Sequence, residues 1–200
     1  MIKGNKIAIC GLAGSGKETF AKMIRLCLYN KAYGTDYKYK DYHKIGQQDG
    51  DFDSCEIVHF ATPLKEMAAM IEGVDVSVYS DRETKESRRP ILLRLSDSLK
   101  KEFGEHVIFD IAIRRLSNPT KFYIIEDLRL SIEENYLKEN NSFIVKISRP
   151  NNEQINNHIT ETHCASIKED TIILNDGDFD SLFEKARFIT NMIEFKFLLQ

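Results

Sequence analysis

Short apolar runs alternate along this chain with stretches whose apolar residues recur every three or four positions. That alternation is the signature of βα units around a parallel sheet. The runs KIAIC (6–10), IVHFA (57–61), FYIIE (122–126), FIVKIS (143–148) and TIILN (171–175) are the expected strands. Most are apolar at nearly every position, as a strand covered on both faces requires. Helical spacing predicts helices over 17–29, 63–71, 91–103, 106–116, 132–139 and 179–197. In the last, Leu182, Phe183, Ala186, Ile189, Ile193 and Phe197 fall on one face. The stretch at 29–55 breaks the rhythm with closely spaced tyrosines, lysines and glycines. It reads as an insertion between the first helix and the second strand, by composition a solvated loop or hairpin, with a substrate-covering or dimer element as the other readings.

Composition narrows the class without naming it. The 200 residues, 42% hydrophobic and 30% charged, suffice for one core of a single domain over 1–200. A formal net charge of -3 argues against a polyanion-coating surface, so no nucleic-acid polymer is expected as partner. Cys10, Cys27, Cys55 and Cys164 stand singly, without the paired spacing of a zinc or redox centre, and read as reduced thiols. No apolar stretch has the length of a membrane span or a signal peptide, so the expected location is cytoplasmic, in the host if the source is viral.

The chemistry begins with GLAGSGKETF, which follows the first strand. Gly11, Gly14 and Gly16 permit a turn whose N–H groups point inward, Ser15 lies within it, and the helix opening at Lys17 adds the positive end of its dipole. Lys17 supplies a mobile cation for the β- and γ-phosphates of a nucleotide. The common form of this loop has Ser or Thr after the lysine as a Mg²⁺ ligand; here that position is Glu18, and the hydroxyl comes one residue later, at Thr19. The expectation is that Glu18 holds Mg²⁺ through water while Thr19 bonds a phosphate, both being candidate metal-site residues.

Several separated motifs then resemble the phage-type deoxynucleoside monophosphate kinases, a family of P-loop nucleotide kinases. SGKET (15–19) parallels the family's SGKDT, FATPLK (60–65) its segment after the second strand, and DRET (81–84) is identical. IIEDLRLSIE carries Asp127, Arg129 and Glu133 in the family's spacing; RP (149–150), HITE (158–161) and NDG (175–177) follow in order. The resemblance implies an α/β, three-layer P-loop kinase fold: a five-stranded parallel sheet flanked by helices, plus a lid and substrate-binding helical region at about 72–118. It departs in the middle, where LLRLSDSLKKEFG replaces a segment containing LQ and LG, and no Trp is present, so base specificity does not carry over.

The activity so implied is ATP-dependent phosphoryl transfer to deoxynucleoside 5'-monophosphates, with ATP and Mg²⁺. Such a reaction depends on positioning and on cations around the transferred group. The resemblance makes Lys17, Arg82, Arg89 and Asp127 catalytic. It puts Lys65, Arg82, Arg88, Asp127, Arg129 and Glu133 on the acceptor monophosphate. Gly11, Gly14, Ser15, Gly16, Lys17, Glu18, Thr19, Asn175 and Gly177 face ATP. Asp127, at the end of an apolar run, is a candidate for magnesium or its waters, and equally for orienting Arg129 or a sugar hydroxyl. His158 reads as a loop or capping residue. The alternatives are another small-molecule kinase of the same build, resembling phosphomevalonate kinase, and a regulatory module that binds ATP without turnover. The dNMP and ATP are the expected partners, no membrane is expected, and a homodimer is left open.

Overall fold

The computed structural model describes residues 4–44, 52–81, 84–150 and 166–193. Arg82, Cys164, Phe197 and the HITE run with His158 lie outside them. The described elements run β1 (Lys6–Cys10), α1 (Lys17–Tyr33), β2 (Cys55–Val58), α2 (Thr62–Glu72), α3 (Lys85–Phe103), α4 (Val107–Arg114), β3 (Phe122–Ile125), α5 (Ser131–Glu139), β4 (Phe143–Ser148), β5 (Thr171–Leu174) and α6 (Phe179–Asn191). Two compact units emerge, one of Met1–Val58 with Pro119–Gln200, the other His59–Asn118.

The first unit holds a five-stranded, all-parallel sheet in the order β2-β3-β1-β4-β5, flanked by helices, as the alternating pattern predicts. Burial follows the order. Central β1 and β3 are buried at every residue, whereas edge strands β2 and β5 are buried only in part. Ile7, Ile9, Ile124, Val145 and Ile147 of the sheet pack with Phe20, Ile24 and Leu28 of α1 and with Leu182, Phe183 and Ile189 of α6 in one core. Cys27 and Cys55 belong to it, and burial pushes both thiols up to about 12, which keeps them unreactive. No helix among the described residues is long and apolar enough to cross a membrane.

Several boundaries differ from the sequence expectation: α6 ends at Asn191 instead of 197, α4 spans Val107–Arg114 instead of 106–116, and three others differ for identifiable reasons. Strand β2 lies at Cys55–Val58, earlier than 57–61, because its register pairs Cys55 with Phe122 and Val58 with Ile125. Phe60 is apolar for another reason: it is buried in the second unit against Phe109, ring centroids 5.4 Å apart. Helix α1 continues to Tyr33, where Gly34 takes φ 67° and returns its N–H to the Asn30 carbonyl. Helix α3 begins at Lys85, ahead of the expected 91, and carries Pro90 inside it. Proline lacks the N–H that would reach back to Glu86, so α3 forgoes one of its hydrogen bonds at that point.

The described part of the 29–55 insertion is not a solvated loop. Tyr29 and Phe52 are fully buried, and Tyr37, Tyr39 and Tyr42 pack against the main core. Arg25 ties this layer down, donating to the Cys55 carbonyl at 3.1 Å and lying 5.9 Å from the Phe52 ring centroid.

In the second unit Ala68 and Ala69 of α2 and Tyr79 of the following turn form a small core, against which Leu92 and Leu95 of α3 pack. Helix α2 has Pro63 in its first turn, where a missing N–H costs nothing, and stops at Gly73 with φ 67°. The Arg115 guanidinium pairs in a fork with Glu66, one bond at 2.9 Å, and holds that carboxyl below its usual range.

Candidate active site

The loop between β1 and α1 has the backbone a phosphate cradle needs. Gly11, Gly14 and Gly16 sit at φ 148°, 74° and 100°, values that L side chains rarely adopt. At two of them space also forbids a side chain. A Cβ on Gly11 would meet the Ile147 carbonyl oxygen of β4 at 2.4 Å, and one on Gly16 would meet Asn175 Nδ2 at 2.7 Å. The Lys17 ammonium is folded back over the loop, donating to the carbonyls of Gly11 at 2.7 Å and Leu12 at 2.9 Å. Ser15 is 1% exposed, and among the described residues its buried hydroxyl has no hydrogen-bond partner.

The turn after β5 braces this loop from outside. Asn175 donates its side-chain amide to the Ser15 carbonyl at 2.9 Å and its backbone N–H to the Ser148 carbonyl at 2.7 Å. Gly177 packs against Ser181, where a Cβ would come within 2.9 Å of that side chain. Asp178 caps α6 by accepting from the Ser181 N–H at 2.8 Å, and Lys185 closes the turn on the Leu174 carbonyl and Asp176. Of Asn175 and Gly177, both expected from the sequence to face ATP, Asn175 bonds the loop and Gly177 lies against Ser181 of α6.

A second group of expected residues lies at the end of β3. Lys6 pairs with Tyr123 and Ala8 with Ile125; continuing that register two residues sets Asp127 level with Cys10, immediately before the loop. Asp127 is half-buried and Arg129 is exposed. Glu133 is 6% exposed and accepts the backbone N–H groups of Arg129 at 2.8 Å and Leu130 at 2.9 Å, so it closes the N-terminus of α5. Burial lifts its carboxyl to about 7; those two N–H bonds pull the other way, and the nearby Asp127 charge adds to the rise.

Glu18, the residue that departs from the common loop, is 68% exposed and ion-paired with Lys22 one turn on, at 2.5 Å. Thr19 is half-buried in the same helical turn. Among the described residues no group of three or more His, Cys, Asp or Glu side chains could hold a metal by itself. A Mg²⁺ bound chiefly by phosphates and water needs only one or two protein oxygens.

Within the second unit, Lys65 donates to the Ser80 hydroxyl at 3.2 Å. Arg88 pairs with Glu72 and lies 5.5 Å from the Tyr79 ring centroid, while the Tyr79 hydroxyl donates to the same Glu72 carboxylate at 2.5 Å. Thr84 of the DRET motif donates to the Val78 carbonyl at 2.6 Å, and Asp81 accepts its N–H at 3.2 Å, so the motif's outer residues build the turn that leads into α3. Arg89 is exposed beside Glu86 at 3.6 Å. Sequence reasoning missed Glu72, whose only signal is an acidic residue one position before the Gly73 that ends α2.

A glycine-rich loop after the first strand of a five-stranded, all-parallel sheet flanked by helices, with an acidic strand end level with it, is the arrangement of a P-loop kinase fold. The family model described as deoxynucleotide monophosphate kinase matches residues 95–186. That match agrees with the family the separated motifs resemble, and it covers Asp127, Arg129, Glu133, Asn175 and Gly177. The loop at 11–19 and the motifs at 60–65 and 81–84 lie outside it and rest on their own geometry and spacing. Comparison with curated proteins gave no match.

Proposed function

We propose that this protein transfers the γ-phosphoryl group of ATP to deoxynucleoside 5'-monophosphates, giving dNDP and ADP. The observation that carries the reading is the loop itself: three left-handed glycines, the Lys17 ammonium and the buried Ser15 hydroxyl, set beside a strand end that bears Asp127 and Arg129. The family match over residues 95–186 supports a deoxynucleoside monophosphate as the acceptor.

In this reading the loop N–H groups and Lys17 take the β- and γ-phosphates, and the ammonium exchanges the Gly11 and Leu12 carbonyls for phosphate oxygens. Charge spreading over the transferred group is met by cations, with Lys17, Arg82 and Arg89 in that role. The acceptor phosphate is already ionised, so the site needs no base for it. Lys65, Arg88 and Arg129 are its anchors, the arginines by their planar forks. Glu133 acts on Arg129 through the backbone it holds. Mg²⁺, if bound with ATP, would supply neutralisation of phosphate charge; Thr19, Asp127 and, through water, Glu18 are the residues that would hold it.

The test is ADP release from ATP-Mg²⁺ with a panel of dNMPs and one ribonucleotide control. Stimulation by at least one dNMP is expected; ATP binding without stimulation by any of them would refute the proposal and favour a binding module.

A further inference from the structure

The tyrosine-rich insertion is not used by the chemistry above, yet one of its rings reaches the turn that braces the phosphate loop. Tyr39 stacks on Phe179 with centroids 5.7 Å apart and planes inclined by 11°, an offset parallel pair. Phe179 opens α6, and 62% of it is exposed, although it follows directly on the Asp178 cap. Burial does not explain so large an apolar ring at that place.

Its neighbours explain it better. Asn175, bonded to the Ser15 carbonyl of the loop, precedes Phe179 by four residues, a chain reach of at most about 14 Å. On the other side, Tyr39 and Tyr42 pack against the core that α1 helps to build, and Lys22 of that helix bonds Glu18 in its first turns. The aromatic pair is thus tied to the two elements that adjoin the phosphate loop: Tyr39 to the core built by α1, and Phe179 to the helix that follows the Asn175 turn. A nucleotide whose phosphates fill the loop must send its base out along one side of it, and this side offers a flat, open π surface held rigid from behind by packing of Tyr39 on the core.

Resting on the ATP-dependent reading above, we infer that Phe179, backed by Tyr39 of the insertion, is the stacking platform for the purine base of the nucleoside triphosphate. Stacking on an aromatic ring is tolerant of base identity. The platform thus contributes affinity for ATP and GTP alike, and none for phosphate alone.

The chain contains no Trp, so Phe179→Trp installs a single reporter on the platform. ATP and GTP are expected to quench its fluorescence, and inorganic tripolyphosphate is not; absence of quenching at saturating ATP would overturn the proposal. In calorimetric titrations of the full chain, Phe179→Leu should weaken ATP and GTP about tenfold each. Tripolyphosphate should bind within twofold of the unaltered protein. Unchanged ATP affinity in folded Phe179→Leu, or an equal loss for tripolyphosphate, would count against the platform. These readouts need no acceptor: failure of every dNMP in the turnover assay would refute the kinase reading while leaving ATP stacking on Phe179 measurable.

Discussion

The side-chain amide of Asn175 donates to the backbone carbonyl of Ser15 at 2.9 Å, joining residues 160 positions apart at the middle of the phosphate loop. Gly16 next door leaves room for that amide and no more. The loop is thereby shaped before any ligand arrives, and preorganisation of this sort lowers the ordering cost of binding.

Asn175→Ala removes the donor and leaves the Ser15 carbonyl to find water. A net loss of about 1 kcal/mol is expected, lowering Tm by roughly 2–4 °C in a chain of this size. The KM for ATP should rise several-fold while the dNMP KM stays put. Equal changes in both would contradict a role confined to the loop.

Lys17→Ala should lower kcat by at least about 100-fold, the scale of losing one preorganised charge at the transferring group. The far-ultraviolet circular dichroism spectrum should be unchanged, since the bonds lost are those of the ammonium to two loop carbonyls and Ala suits a helix. Retention of more than a tenth of the turnover would speak against it.

Glu133 gives a pH signature. Its folded carboxyl titrates near 7, above the ordinary 4.5, so the native state binds the proton more tightly than the unfolded chain does. Its contribution to stability is therefore fullest below about 4.5 and is lost as pH rises through 7. Glu133→Gln keeps an acceptor oxygen for the Arg129 and Leu130 N–H groups and abolishes the titration. Urea unfolding should find the two proteins similar at pH 4.5 and the variant more stable at pH 8, by a margin on the order of 2–3 kcal/mol. A difference independent of pH would mean that Glu133 does not titrate in this range.

In the second unit, Glu72, Tyr79 and Arg88 form a closed set of contacts at the entry to α3. Glu72→Gln with Arg88→Met, alone and together, should give a coupling of about 1 kcal/mol in a double-mutant cycle. Arg88→Lys should not restore it, because a compact ammonium cannot both meet the carboxylate and cover the ring. Additive effects would mean that the two side chains do not support each other.

The strands were legible because a buried parallel sheet demands continuous apolar runs, and all five expected strands occur. Phe60 was the misleading residue: apolarity marks burial, and nothing local says in which of two cores. The loop was legible because glycine is the only residue that suits its dihedrals and its crowding. The Asn175 brace was not, since a contact across 160 positions leaves no periodic trace; a spacing match placed Asn175 at the site without saying what it touches. The three-residue set around Glu72 was hidden for the same reason, and Arg88 looked like one charge among many in KESRRP. Tyr37, Tyr39 and Tyr42 read as solvated because their polar neighbours outnumber them, whereas their rings found the flank of α1.

The order of the sheet has a consequence for how the chain is made. Strand β1 is flanked by β3 and β4, and Lys6 pairs with Tyr123. At about 5–20 residues per second, synthesis leaves the first strand without either partner for on the order of ten seconds. During that interval its apolar residues and those of α1 have only each other and the early insertion for cover. Sheet closure must therefore be late and nonlocal, which predicts slow refolding and a need for protection of the nascent amino-terminal segment.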